Sequence, residues 1–262
     1  MIPRGLASAL RLAAGLRPLL VATDFDGVLA PLESDPMAVK PTPGTIEVLR
    51  ALAEVPDVHV AVVSGRDLTT LARLSGIHES EPIALIASHG AESTSEAVRQ
   101  AMEAARITPE DRVRLAQLAE DVALLVEERH PDAGIEHKTA AVVVHTRGLP
   151  KELADAALAD ARSVALAHEG IRVLKGKSVL ELSVSPADKG SALTAYGRHV
   201  GAQARIYLGD DATDEDVFAR LTRPDDVTIK VGDGSTAARH RVADEADVAE
   251  TLHLLAQLLL GR

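Results

Sequence analysis

The sequence predicts an α/β protein, with a Rossmann-like doubly wound parallel-sheet core interrupted by an inserted α+β module. Three observations carry this expectation. Short apolar runs at 18–23, 58–63, 83–87, 205–208 and 227–231 alternate with helix-like stretches, and the first four end in polar or glycine-rich turns. The rhythm breaks after about residue 95, where long charged stretches and closely paired short apolar runs follow one another. It resumes near residue 187, so the expected division is core 1–100, inserted module 101–186 and core again 187–262.

In chain order, residues 1–20 carry Arg4, Arg11 and Arg17 through an apolar stretch, which breaks the uncharged segment a secretory leader needs. We expect a loosely packed first helix, with a basic amphipathic anchor as the alternative. Residues 18–23 read as a buried parallel strand delivering Asp24 at its carboxyl end. Residues 41–53 follow as a helix, with Thr42 as N-cap and Pro43 in its first position. The strand 58–63 runs into Ser64-Gly65-Arg66, a helix covers 67–74, and the strand 83–87 stops at Ser88-His89-Gly90.

The inserted module reads as helix 109–129, a hairpin of 134–137 with 141–145, helix 150–167, and strands 171–174 and 179–182 about Gly176. That pattern suits paired helices on a small antiparallel sheet. The core returns with helix 189–199, strand 205–208, an acid-rich turn, helix 215–221, strand 227–231 and a terminal helix 247–260.

The 262 residues include no cysteine, which excludes disulfides, cysteine-bound zinc, iron–sulfur clusters and thiol nucleophiles. With 28 Lys and Arg against 39 Asp and Glu, the net charge of −11 repels phosphate backbones. Two Phe, two Tyr and no Trp leave little to stack on bases, so nucleic acid is a poor partner and divalent cations are better ones. Apolar runs are interrupted well before the ~18 residues that suggest a membrane span. We therefore expect a cytoplasmic protein that acts on a small molecule, without membrane partners; its oligomeric state stays open. The ten histidines are scattered without zinc-ligand spacing, although His137 and His145 are placed to face each other across the hairpin.

Asp24-Phe25-Asp26-Gly27 puts two carboxylates on alternate residues as a strand ends, while Gly27 permits a sharp turn. Two acids that close suit a bound Mg²⁺. An ionised Asp24 can attack phosphorus and Asp26 can move the proton, although the same four residues also make an Asx-capped turn. Gly209-Asp210-Asp211-Ala212-Thr213-Asp214-Glu215-Asp216 holds five acids after another strand. Helix capping accounts for Asp214, Glu215 and Asp216 but leaves Asp210 and Asp211, and Asp210 is the candidate metal ligand nearest the strand end. Ser64 offers a hydroxyl and Lys189, opening a helix, a positive charge for a phosphoryl group.

Asp24-Phe25-Asp26-Gly27-Val28-Leu29, Ser64-Gly65-Arg66, Lys189 and Gly209-Asp210-Asp211 resemble the four motifs of haloacid dehalogenase (HAD) phosphatases, over nearly the whole chain. Ser88-His89-Gly90-Ala91-Glu92, Lys175-Gly176-Lys177, Asp188-Lys189-Gly190 and the acid-rich 209–216 string resemble trehalose-phosphate phosphatases within that superfamily. The resemblance implies Asp24 as nucleophile, Asp26 as general acid/base and metal ligand through its carbonyl, and Asp210 completing a Mg²⁺ site, with Asp211 or Asp214 as further ligand. Ser64 and Lys189 would hold the phosphoryl group. The inserted module would be a cap reading the sugar, through Glu136, Lys138, Arg147, Lys175, Lys177 and Glu181, while Arg66, His89 and Glu92 would also line the substrate site.

The chain departs from the pattern at Val28, where threonine is common, and at 182–185, where Arg-Pro-type residues often follow the cap glutamate. The reaction implied is hydrolysis of trehalose 6-phosphate through an aspartyl phosphate. Alternatives are another HAD sugar-phosphate phosphatase, a phosphosugar mutase or, outside enzymes, a phospho-aspartate receiver switch. Gly176-Lys177-Ser178 imitates the end of a P-loop, but its first glycine is out of register and a strand is expected to follow.

Overall fold

The computed structural model describes every residue except Met1, Ser34, Ala104, Ala105, Lys177 and Arg262. Two compact units result, one of residues 1–103 with 187–262 and one of residues 104–186.

The first unit is built on a seven-stranded sheet. Its strands are β1 (Leu19–Asp24), β2 (Val58–Val63), β3 (Ile83–Ala87), β4 (Glu92–Ser93), β9 (Ala204–Gly209), β10 (Val227–Val231) and β11 (His240–Val242). Their spatial order is β11-β10-β9-β1-β2-β3-β4, parallel except for β4 on β3. Alternation along β1 sends Leu19 and Val21 into one apolar layer and Leu20 and Ala22 into the other, so the sheet is covered on both faces. Helices α1 (Arg4–Ala13), α2 (Thr45–Ala53), α3 (Leu68–Ser75) and α9 (Glu245–Leu260) contribute to the first layer. The other draws on α4 (Glu96–Ala101), α7 (Lys189–His199) and α8 (Glu215–Arg220).

The chain leaves β1 toward β2 on one side and returns to β9 on the other. That reversal is a topological switch point, where open α/β sheets place their ligands outside the strands' carboxyl ends.

Three expectations need correction. The first helix is not loosely packed, because Leu6, Leu10 and Ala13 form one stripe at helical spacing and are fully buried, leaving the arginines outside it. The second helix starts at Thr45 rather than 41, since Gly44 takes a left-handed φ of 87° that ends the preceding turn. Strands β4 and β11 and helix α4 escaped the sequence reading, the strands because two or three residues make no apolar run.

The second unit is an antiparallel sheet of β5 (Gly134–His137), β6 (Ala141–His145), β7 (Arg172–Gly176) and β8 (Val179–Ser183), in the order β5-β6-β8-β7. Helices α5 (Pro109–Arg129) and α6 (Lys151–Leu166) pack on one face, burying Leu118, Val122, Ala157 and Ala161 against Val142, Val144, Leu180 and Leu182. Thr108 and Asp111 cap α5 reciprocally and Pro109 occupies its first turn. The strand β8 begins at Val179, directly after Ser178, where a P-loop would open a helix. Register also corrects the histidines: His137 lies opposite Val142 and His145 opposite Gly134.

Candidate active site

The acids converge at the switch point. The β1 terminus presents Asp24, whose Oδ1 accepts the Phe25 N–H at 2.7 Å. From the end of β9 come Asp210 and, four residues on, Asp214; all three are buried, and one carboxylate oxygen from each lies within 4.8 Å of the others. Gly27 permits this approach twice over, because its φ of 72° disfavours a side chain and a Cβ there would overlap the Asp210 carboxylate.

Lys189 opens α7, whose N-cap Asp188 accepts the Ser191 N–H at 2.7 Å and its hydroxyl at 2.6 Å. The Lys189 amine, 2% exposed, donates to Asp24 Oδ2 at 2.7 Å and Asp214 Oδ1 at 2.9 Å, and lies 3.9 Å from Asp211. Three acids thus face one base.

Burial, reinforced by Asp214, pushes the Asp24 carboxyl well above the usual carboxylate range. Asp214 is raised as well, chiefly by burial and only partly relieved by Lys189. On Lys189 burial works the other way, but the surrounding acids prevail and hold the amine well above its ordinary value.

Asp211 plays another part. It accepts the Thr213 N–H at 2.8 Å, the Thr213 hydroxyl at 2.7 Å and the Asp214 N–H at 3.2 Å, tying the loop to itself. Although burial opposes it, Lys189 and the Thr213 donors hold its carboxyl well below the usual range. Of the two candidate further ligands, Asp214 is the one within the three-acid cluster. The donor set fits a hard divalent cation: oxygen donors only, buried, close together, and with more negative charge than one lysine offsets.

Asp26 and Arg66 meet as a two-pronged pair, with Nε to Oδ2 and Nη2 to Oδ1 both at 2.6 Å. Ser64 is buried at the end of β2; its N–H donates to the Ile86 carbonyl at 2.8 Å and its hydroxyl accepts from the Arg66 N–H at 3.2 Å. His89 lies beside this turn, its N–H donating to the Ser64 carbonyl at 3.0 Å. Gly65 leaves room for its ring, which a Cβ would meet at 2.6 Å. Ser88 and His89 both hold positive φ, 48° and 54°, a strained pair of the kind found at functional turns. Glu92 accepts the Ser88 hydroxyl at 2.5 Å.

Two donors escaped the sequence reading. Tyr207 on β9 is fully buried and its hydroxyl donates to Asp214 Oδ1 at 2.7 Å. Lys230 on β10, opposite Gly209 in register, donates its amine to the Asp210 carbonyl. Both carried a signal, since a buried phenol needs a partner and a lysine inside an apolar strand is rarely decoration.

In the second unit, register aligns Glu136, Val143, Glu181 and Leu174 in one row on the face away from the helices. Lys138 pairs with Glu181 at 2.7 Å, and His145 with Glu136 at 2.8 Å, which holds the Glu136 carboxyl below its usual range. Arg147 is exposed beyond β6. Lys175 departs from the expected group: it lies opposite Leu180, on the helix-covered face, where its charge reaches Asp155 of α6. One step along a strand turns a side chain to the other face. Lys177 lies outside the described residues.

A mostly parallel sheet with its acids gathered at the switch point defines a HAD-like α/β core. Within that class the chain belongs to the trehalose-phosphatase family, whose model matches residues 22–251. It is 34% identical to a trehalose-phosphate phosphatase of Mycobacterium marinum, over 90% of this chain and 61% of that protein. It is 36% identical to an uncharacterized glycosyl hydrolase of Mycobacterium tuberculosis, over 94% of this chain and 19% of that protein. The chain thus spans between about a fifth and three fifths of the length of these relatives. The fold matches the C-terminal domain of the C. albicans trehalose-6-phosphate phosphatase with a TM-score of 0.80, covering 98% of each chain at 22% identity. A trehalose-6-phosphate phosphatase related protein is 26% identical, with a TM-score of 0.69, covering 92% of this chain and 99% of that one. No helix among the described residues is long and apolar enough to cross a membrane.

Proposed function

We propose that the chain is a Mg²⁺-dependent phosphatase that converts trehalose 6-phosphate to trehalose and phosphate through an aspartyl phosphate on Asp24. The observation that carries this reading is the buried Lys189 amine bonded to Asp24 inside a cluster with Asp210 and Asp214. Asp24, Asp210 and the Asp26 carbonyl would hold the Mg²⁺, with Asp214 beside them; when bound, the ion neutralises the crowded carboxylates and polarises the phosphoryl oxygens.

Asp24 presents a carboxylate oxygen to phosphorus. As that bond forms, the phosphorus–oxygen bond to the sugar breaks, and Asp26 passes a proton to the departing oxygen. Asp26, now a carboxylate, takes a proton from a water that attacks the same phosphorus. Inorganic phosphate departs and Asp24 recovers its carboxylate. Ser64 and Lys189 donate to the phosphoryl oxygens, and Arg66 brings a positive charge next to Asp26.

The substrate also falls to this proposal, and the names of the relatives support it. Glu136, Lys138 and Glu181 alternate acceptor and donor along the open face of the second sheet, a pattern suited to sugar hydroxyls. With Arg147, and with His89 and Glu92 in the first unit, they are the residues we assign to substrate; Lys177 stays in the set from its motif, and Lys175 leaves it. Phosphate release measured across a panel of phosphosugars with Mg²⁺ tests the reading. Trehalose 6-phosphate is expected to give the highest kcat/KM, and a clear preference for another phosphosugar would overturn the substrate.

A further inference from the structure

We infer that Tyr207, which lies outside every motif, is a positioning residue that braces Asp214 and through it the metal-holding loop. The inference rests on the Mg²⁺ reading above. An ionised carboxylate offers about four lone-pair sites. Asp214 uses four: Oδ1 accepts from the Lys189 amine at 2.9 Å and the Tyr207 hydroxyl at 2.7 Å, and Oδ2 from the Asp210 and Asp211 N–H groups at 2.8 and 3.0 Å.

Asp214 is therefore the node joining β9, its acid loop and α7. Two of its donors are the backbone of the loop it must shape, and a third is the lysine that also bonds Asp24. Tyr207 is the fourth, and it comes from a rigid place. Its ring is fully buried and packs edge-on against Phe218 of α8, with centroids 5.9 Å apart. The hydroxyl thus has a fixed origin and sets the rotation of the Asp214 carboxylate. That rotation in turn fixes the Asp210 N–H, and with it the start of the loop that carries the Asp210 side chain.

Calorimetric titration of the full chain with Mg²⁺ tests the brace. Tyr207→Phe keeps the ring and removes the hydroxyl, and is expected to weaken Mg²⁺ affinity by about ten- to hundredfold, the usual effect of losing an outer partner of a metal site. Phe218→Leu loosens the ring's packing but keeps the hydroxyl; it should lower the melting temperature and weaken Mg²⁺ affinity far less than Tyr207→Phe does. Parent-like affinity in Tyr207→Phe, or an equal loss in Phe218→Leu, would overturn the brace. With no Trp and Tyr196 the one other tyrosine, Tyr196→Phe makes Tyr207 the sole strong fluorophore. Its emission should change on Mg²⁺ saturation, and a constant signal would overturn the brace even if Tyr207→Phe failed to fold. A parent chain that takes up no Mg²⁺ would sink the metal reading itself, a separate result from an indifferent Tyr207→Phe.

Discussion

Two buried acids of the first unit and two partly solvated acids of the second are tuned in opposite directions, while Asp211, beside the first pair, is held down by Lys189 and Thr213 although burial opposes it. At the switch point of the parallel sheet, burial drives Asp24 and Asp214 up, and a single lysine stands among three acids. In the antiparallel unit, hydrogen bonds from His145 and from Thr108 hold Glu136 and Asp111 down, and each is one of a small, partly solvated set. The parallel sheet is covered on both faces, so its polar groups collect at one edge, dry and mutually dependent. An antiparallel sheet with helices on one face spreads its polar groups in rows across the other. A change in the first setting should therefore disable, and a change in the second should discriminate.

The sharpest test of that contrast is Asp24→Asn, which removes the nucleophile and keeps its shape. Phosphate release should fall by about four orders of magnitude or more, with an unchanged circular dichroism spectrum. Activity within tenfold of the parent would end the nucleophile assignment. Stripping divalent ions with a chelator comes next: turnover should drop to background and return with Mg²⁺, and persistence of full activity would remove the metal from the reaction.

On the second unit the effect should be selective. Glu181→Ala is expected to lower kcat/KM for trehalose 6-phosphate by about ten- to hundredfold, the worth of one or two charge-assisted contacts. Hydrolysis of a small generic phosphate ester should be nearly unchanged. An equal loss on both substrates would dissolve the distinction between the two sheets.

The smallest effect concerns stability. Folding lowers the Asp111 pKa from its ordinary 3.8, first through the Thr108 N–H, so the stabilisation is present above that value and fades as pH falls through the folded-state one. Asp111→Asn should reduce stability to urea by about 0.5–1 kcal/mol at neutral pH. The gap should close in acid, as the parent's carboxyl takes up its proton; a gap independent of pH would assign the loss to packing.

Much of this was legible beforehand because its signals are local. The 109–129 helix announces itself through Thr108, Pro109 and Asp111, and the strands 58–63 and 227–231 through unbroken apolar runs. The order of Asp24, Ser64, Lys189 and Asp210 at element ends was readable for the same reason. Where the signal is local but ambiguous it misplaces an element's end, as at Thr42, which sits in a turn that Gly44 closes.

By itself, then, the sequence determined the longer strands and helices and which side chains stand at their ends, since periodicity and end signals act over a few residues; the short β4, β11 and α4 carry too little of either. Only the tertiary structure decided which acids face one another. It turned Asp214 into the three-acid cluster and Asp211 onto its own loop, joined Arg66 to Asp26, set Lys175 on the face opposite Glu181, and brought Tyr207 and Lys230 to the acid loop. Those outcomes depend on sheet register, on the β1–β9 adjacency and on the packing of α7 against α8. The Arg66–Asp26 and Lys230–Asp210 bonds join residues 40 and 20 positions apart, which no short window specifies. The Asp211–Thr213 and Tyr207–Asp214 bonds span only two and seven, and what the tertiary structure decides for them is which other acids they face.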